Sequence, residues 1–355
     1  MTQILVNNKF FTENLLKWYA ESHRPMPWKD IKDPYKIWIS EIILQQTRVT
    51  QGWNYYENFV KLFPNISTLA KASLEKVNKA WEGLGYYTRA ANVHKAARIM
   101  EAEYGGQFPQ DYDKILKLPG IGPYTAAAIA SFAFEMPYPV VDGNVIRVLS
   151  RYAGIGLNET NFNKIQKETY ALANQLIQHG QASIFNQAIM DFGATHCTVS
   201  SPKCNVCLLN LKCYAYKNHL VSQLPPKKKK IDQKLRYVDF FMIEILDKII
   251  IEKRISQDIW KNLYQVPAHF ADIFNEKYEL PNFIQENIVI KHEIMDENIK
   301  HVLTHQIILA RFIKISLKSV PILIQGQMIY VDRKNLRNFA FPRLIQKFLQ
   351  QQNIL

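Results

Sequence analysis

The amino-acid sequence predicts a chain in two parts: mainly α over its first two-thirds, then a smaller α/β or α+β domain. Three observations carry this reading. From about residue 9 to 220 the apolar residues recur at helical spacing, with Pro and Gly clusters between the runs. The segment Pro225-Pro226-Lys227-Lys228-Lys229-Lys230, continued by Lys234 and Arg236, reads as a solvated basic linker. Beyond it, short β-rich runs replace the helical pattern.

In chain order, Tyr35, Trp38, Ile39, Ile42, Ile43 and Gln46 share one helical face. Later helical stretches are predicted at 90–104, 124–134, 143–152, 163–179 and 182–192. After the linker, strands are predicted at 237–246, 248–252, 288–290, 312–317 and 328–331, with a helical stretch inside 271–286. A length of 355 residues accommodates two or three domains with sizeable cores. The formal net charge of +13, from Lys+Arg 44 against Asp+Glu 31, calls for a polyanionic partner. Nucleic acid is favoured over a membrane, because no apolar run is long enough to span a bilayer. The start MTQILVNNKFF lacks a basic segment followed by an apolar one, so no signal peptide is predicted.

All four cysteines fall in one stretch, Cys197, Cys204, Cys207 and Cys213, spaced C-x6-C-x2-C-x5-C. Thiolates this close do not readily pair as structural disulfides, but they can surround one soft metal centre. Zinc sites usually carry two short C-x2-C arms, and here only Cys204 and Cys207 form one. The asymmetric, loop-held set fits a cubane [4Fe-4S] cluster better. Such a centre needs reduced thiols and so a reducing compartment.

Three further segments carry chemistry. In Leu118-Pro119-Gly120-Ile121-Gly122-Pro123-Tyr124-Thr125-Ala126, Gly120 and Gly122 permit a tight turn between two helices. The amides opening the second helix then suit a DNA phosphate, the signature of a helix-hairpin-helix. In Val140-Val141-Asp142-Gly143-Asn144-Val145, Asp142 precedes a helical run. It is expected to cap that helix and to stay ionised in the positive end of the dipole. In Ile39-Ser40-Glu41-Ile42-Ile43-Leu44-Gln45-Gln46-Thr47-Arg48, Glu41 has Ile37, Trp38 and Leu44 as helical neighbours. Desolvation there would let it hold and donate a proton near neutrality; the alternative is a solvent-edge Glu paired with a Lys or Arg.

Together, the hairpin, the Asp142 segment and the cysteine loop resemble the DNA glycosylases of the endonuclease III superfamily over about residues 10 to 220. Within it the sequence is most similar to the adenine DNA glycosylases of the MutY type. The resemblance implies a helical glycosylase domain over 1–224, as two lobes around a cleft. About 28–134 would form a six-helix lobe with the hairpin, and about 1–27 with 135–224 the cluster-bearing lobe. Residues 225–236 would be the linker and 237–355 a Nudix-like lesion-recognition domain. It also implies base excision repair of adenine mispaired with 8-oxoguanine or guanine in double-stranded DNA, by a monomer in the bacterial cytoplasm.

On this resemblance Glu41 is the general acid and base, and Asp142 stabilises the oxocarbenium ion or attacks it transiently. Tyr124 and Asn144 orient the two carboxyls. Bifunctional relatives carry a Schiff-base lysine where this chain has Tyr124, and a phenol cannot do that chemistry. Gln46, Thr47, Leu84 and Tyr86 fall at positions that wedge beside the opposing guanine, and Trp28 and Gln187 at positions lining the adenine pocket. Lys29 lies beside them, where relatives vary. Gly120 and Gly122 contact the backbone. The lesion loop, Phe-Ser-His in the family, is here Leu303-Thr304-His305, so Thr304 and His305 keep the hydroxyl and imidazole and Leu303 loses the aromatic ring. The segment 270–281 lacks the paired carboxylates of a Nudix box, which argues against magnesium-dependent pyrophosphate hydrolysis. The competing readings are a glycosylase/lyase for oxidised pyrimidines, a non-catalytic DNA-binding protein, and a Nudix hydrolase with a helical extension.

Overall fold

The computed structural model describes residues 8–22, 26–177, 181–227, 232–284, 288–319, 321 and 327–355. By its contacts the chain divides into two compact units, residues 1–71 with 95–229, and residues 72–94 with 230–355.

The helices in chain order are α1 Asn8–Glu21, α2 Pro34–Leu44, α3 Val49–Leu62, α4 Ile66–Lys71, α5 Leu74–Ala80, α6 Thr88–Tyr104 and α7 Tyr112–Leu116. They continue with α8 Pro123–Phe134, α9 Gly143–Ala153, α10 Phe162–Leu176, α11 Ala182–Thr195, α12 Tyr214–Lys217 and α13 Arg343–Gln351. The strands are β1 Lys234–Ile245, β2 Lys248–Lys253, β3 Tyr264–Gln265, β4 Ala268–Ala271, β5 Val289–Val302, β6 Gln306–Leu317 and β7 Met328–Asp332.

In the first unit, α2 is the central helix. Every residue from Ile37 to Ile43 is buried, the run being apolar apart from Ser40 and Glu41. Asp33 caps it, its carboxylate accepting the amides of Tyr35 and Lys36, and Pro34 occupies the first turn. The helix ends at Leu44, and Gln46 lies beyond it at φ 61, off the face on which the periodicity placed it. Against α2 packs α8, whose small residues Ala126, Ala127, Ala128 and Ala130 are buried. The other core of this unit joins α1, α9, α10 and α11 through Phe11, Leu15, Val148, Leu149, Phe185 and Ile189.

The second unit is a seven-stranded mixed sheet with the order β3-β2-β1-β6-β5; β4 also pairs with β1, and β7 with β2. Strands β1 and β6 run parallel, from Lys234 opposite Gln306 to Glu244 opposite Ser316. Both sheet faces are covered. Val238, Phe240, Met242, Ile308, Ala310 and Phe312 face α13, where Phe348 stacks on Phe312 at 3.7 Å. The alternate residues Phe241, Ile243, Ile313 and Ile315 face a second core closed by Tyr278, Leu280 and Phe283.

Residues 72–94 join this unit through specific bonds. The Phe341 amide donates to the Glu82 carboxylate at 2.9 Å, Lys79 Nζ reaches the Phe339 carbonyl at 3.0 Å, and Lys253 pairs with Glu75 at 2.6 Å. Of the basic stretch read as linker, residues 228–231 lie outside the described residues. Lys234 and Arg236 are strand residues: Arg236 pairs with Asp258 at 2.9 Å and lies over the Phe270 ring. The helical stretch expected inside 271–286 is not present among the described residues 271–284. Arg311, paired with Asp239 at 2.8 Å, takes the carbonyls of Asn275 and Glu276, and Pro281 supplies no amide, so the backbone groups a helix needs are engaged elsewhere or missing. The α-helix among the described residues of 232–355 is instead α13, which the sequence reading did not mark.

Replacing Phe348 with Ala removes the ring stacked on Phe312 and is expected to destabilise the second unit by about 3–5 kcal/mol. Denaturant unfolding followed by a probe in that unit checks it.

Candidate active site

The first unit contains a cavity of about 910 Å3 lined by residues of α2, of the turn before α8, of the start of α9 and of α11. Glu41, Tyr124, Asp142 and Asn144 all line it, as do Trp28, Gln187, Gln46, Thr47, Gly120 and Gly122. Residues spread over more than a hundred positions in sequence therefore meet at one place.

Glu41 is only 7 % exposed. Burial pushes its carboxyl from 4.5 up to about 7, the Tyr124 hydroxyl opposes that rise by hydrogen bonding, and the nearby Asp142 adds to it. Tyr124 is raised well above the ordinary phenol range, first by burial and then by both carboxyls. It is a neutral hydroxyl at physiological pH, held between two acids.

Asp142 caps α9, one oxygen accepting the Val145 amide at 2.8 Å and the other the Asn144 side-chain amide at 2.7 Å. Its carboxyl is raised by burial and lowered by those amides and by Arg147, the net direction being upward. The helix terminus, Asn144 and Arg147 therefore offset part of the cost of burial. Glu41 has one opposing hydrogen bond and Asp142 has several, together with a cation, so a proton shared by the site resides first on Glu41.

Asn144 is in turn fixed by Arg147, whose Nη2 donates to its Oδ1 at 2.8 Å and to the Gly193 carbonyl at 2.6 Å. The Nε of Arg147 donates to the carbonyl of Cys197 at 2.8 Å. Neither Arg147 nor Gly193 was marked in the sequence, since only the fold brings α11 against the start of α9. A Cβ on Gly193 would lie 2.7 Å from Asn144 Cβ, so only glycine permits this approach.

The hairpin is built by Gly120 at φ 77 and by Gly122, the N-cap of α8, which has no side-chain cap bond. Both glycines are exposed, and with Pro123 and Tyr124 they line the cavity. Gln45 donates to Thr125 at 3.1 Å and fastens the end of α2 to the hairpin, another contact the sequence did not disclose. Trp28 is held edge-on by Trp53 and Tyr56, at 5.8 and 5.5 Å. Gln187 accepts from Tyr19 at 3.1 Å and donates to Ser183 at 3.3 Å, while Lys29 pairs with Asp191 in the same cavity.

The remaining expected residues lie in the second unit. Tyr86 is 51 % exposed at φ 48, and its hydroxyl hydrogen-bonds Thr304 at 2.7 Å. Thr304 and His305 form the exposed tip of the β5–β6 hairpin, and Leu303 packs inward against the core below it. Leu84, expected to act as a wedge, is buried in this structure, as is Tyr87.

Cys197, Cys204, Cys207 and Cys213 are free thiols lining a second cavity of the first unit. Each of Cys204, Cys207 and Cys213 feels the charge of its neighbours. Arg151 donates to Cys197 Sγ at 3.4 Å and to the carbonyls of Thr198 and Val199 at 2.7 and 3.0 Å, so a buried cation clasps the start of the loop.

Two predictions follow from the burial of Glu41 and the crowding at Gly193. The folded state holds the Glu41 proton up to about 7 against 4.5 ordinarily, so Glu41 costs stability as pH rises through that window. Glu41→Gln should therefore raise stability at pH 8 by up to about 3 kcal/mol, read from denaturant midpoints. Gly193→Ala should cost about 1–3 kcal/mol and displace Asn144, visible as a changed amide resonance for residue 144.

A family model described as HhH-GPD superfamily base excision DNA repair protein matches residues 39–175, and one described as NUDIX domain matches residues 240–351. The adenine DNA glycosylase of Buchnera aphidicola subsp. Baizongia pistaciae is 37 % identical over 96 % of this chain and 95 % of its own length. That of Buchnera aphidicola subsp. Schizaphis graminum is 36 % identical over 96 % of this chain and 98 % of its own. Among solved structures, a thermostable thymine-DNA glycosylase superposes with a TM-score of 0.56 at 32 % identity, covering 59 % of this chain and 97 % of that one. An endonuclease III–DNA complex superposes with a TM-score of 0.52 at 23 % identity, covering 61 % of this chain and 99 % of that one, which establishes the shared helical fold. Among the described residues no helix is long and apolar enough to cross a membrane. With relatives matching nearly end to end, and a cavity in the helical unit that gathers two acids under a helix-hairpin-helix, this chain belongs to the adenine DNA glycosylase family of the HhH-GPD superfamily.

Proposed function

We propose that this chain is a monofunctional DNA glycosylase that hydrolyses the N-glycosidic bond of adenine mispaired with 8-oxoguanine or guanine. The observation that carries the reading is the pair Glu41 and Asp142 lining one cavity with the Tyr124 phenol, Glu41 being raised to about 7 by burial. The substrate adenine is turned out of the duplex, and a mispaired base costs less to extrude than a paired one.

Protonated Glu41 donates to N7 of adenine, which makes the base a neutral leaving group. The C1′–N9 bond then breaks toward an oxocarbenium ion, which ionised Asp142 stabilises by charge or by transient attachment. Glu41, now a carboxylate, takes a proton from the water that attacks C1′. Asn144 holds one Asp142 oxygen in place, and the Tyr124 hydroxyl keeps Glu41 aimed. With a phenol at the hairpin, no amine attacks the sugar from that position, so the product is an intact abasic site. Trp28 and Gln187, with orientations fixed by their neighbours, line the space for the base.

DNA is held through its backbone by the exposed turn at Gly120 and Gly122 and by the overall charge of +13. Gln46 and Thr47 in the first unit, and exposed Tyr86 in the second, are assigned to the DNA beside the opposing guanine; Leu84 is buried next to Tyr86 in the chain. Thr304 and His305 read the oxidised guanine, and the Tyr86–Thr304 bond ties wedge and reader together. The four cysteines suit a [4Fe-4S] cluster: all are free and line one cavity. When bound, such a cluster would cross-link the loop 197–213, which carries Lys203 and Lys212. A monomer in the bacterial cytoplasm, with reduced thiols beside the chromosome, fits this assignment.

Single-turnover assays on duplexes with adenine opposite 8-oxoguanine, guanine or thymine test the reading. Adenine release is expected from the first two, without strand nicking and without a borohydride-trapped adduct. Glu41→Gln should lower the rate roughly 10²–10⁴-fold. Asp142→Asn should abolish release. Because the acid form of Glu41 is the reactive one, the rate should fall as pH rises through about 7. Loaded protein that leaves adenine in both mispairs would overturn the assignment.

A further inference from the structure

Beside the four thiols lies a fifth metal-binding side chain with no part in the mechanism above. His196 follows α11 and directly precedes Cys197. Its ring is 7 % exposed, stacks on Phe192 at 4.7 Å with planes 19° apart, and meets Trp18 edge-on at 5.8 Å. Two aromatic neighbours thus fix its plane. The His196 carbonyl accepts the Lys203 amide at 3.0 Å, which fixes the backbone at this residue. Nε2 is buried and has no hydrogen-bond partner. The side chain lines the same cavity as Cys197, Cys204, Cys207 and Cys213, and no carboxylate lines that cavity.

An orphaned buried nitrogen is destabilising, so a partner at this site would stabilise the fold. An imidazole with its plane fixed by two aromatic rings and a bare, buried nitrogen, lining one cavity with four thiols, is suited to bind a metal. The Tyr152 hydroxyl is the other unpartnered polar atom lining this cavity, and as an O–H donor it suits a sulfur rather than an iron.

We propose that His196 is a reserve ligand of the cysteine site, able through Nε2 to take the iron left open when one of the four thiolates is missing. The inference rests on the four-iron reading of that site. In the exchange one Fe–S bond breaks and one Fe–N bond forms, the departing thiolate takes a proton from solvent, and no electron moves. Imidazole in place of thiolate removes one negative charge from the ligand set, so the exchanged site has a higher reduction potential. The loop then keeps its cross-link through the loss of any cysteine whose iron His196 can reach.

The test uses the full chain. Each cysteine is replaced singly by Ala, with His196 intact or changed to Phe; His196→Gln serves as a second removal of the imidazole. Iron and sulfide per chain are measured anaerobically, with pulsed EPR for nitrogen coordinated to the reduced cluster. His196→Phe alone should load as the parent chain does, through four cysteines. At least one Cys→Ala variant should keep its cluster with a coordinated nitrogen, and lose both when His196 is also removed. Equal iron with either residue at 196 in all four backgrounds would overturn the reserve ligand, as would a retained cluster with no coordinated nitrogen. A parent chain that takes up no iron would instead overturn the four-iron reading, and the reserve ligand with it.

Discussion

A carboxylate buried in an apolar helix is the constraint on which the helical unit turns. Glu41 is carried on α2, whose neighbouring side chains are almost all apolar and buried, and α8 closes over it with small residues. Nothing in that packing offers the carboxylate a cation. The cost of charging it there appears as a pKa near neutrality, the condition a proton donor needs at physiological pH. Charging Glu41 there costs stability as pH rises through that range. The apolar run that makes α2 a core helix is thus the same feature that sets the chemistry of its one acidic residue.

The second acid is governed by different physics. Asp142 terminates a helix, so amides meet it from one side, and Asn144 with Arg147 braces it from the other. Arg147 is shared. Its guanidinium touches Asn144, the Gly193 carbonyl and the Cys197 carbonyl at once, which joins the helix bearing Asp142 to the start of the cysteine loop. A change of shape in that loop therefore has a direct mechanical route to the site, through one buried cation and a glycine contact that tolerates no added methyl group.

The second unit retains a mixed sheet covered on both faces, with its helix placed at the far C-terminal end of the chain. The segment 271–286, where a helical stretch was expected, is irregular among its described residues, held by Arg311 and Asp239. What the sheet presents instead is the β5–β6 hairpin tip, where inward-packed Leu303 leaves Thr304 and His305 exposed. Leu303 at the position of the family's aromatic ring is thus an anchor for the turn.

By itself the sequence determined much of this protein. Helical periodicity, the glycines of the hairpin, the spacing of four cysteines and the Asp before a helical run are local signals, written within a few residues of where they act. Glu41, Asp142, Tyr124 and Asn144 were legible for that reason, as were the principal helices of the first unit. The tertiary structure decided what depends on contacts between distant segments. It buried Leu84, drew residues 72–94 onto the sheet, moved the helix of the second unit from 271–286 to α13, and left Asp142 raised by burial despite its capping amides. It also recruited Arg147, Gly193, Gln45 and His196, each with a partner tens of residues away in the chain. A residue's type and spacing fix which local backbone it favours and which chemistry it can perform; its dielectric surroundings and its hydrogen-bond partners arise only when remote elements pack around it.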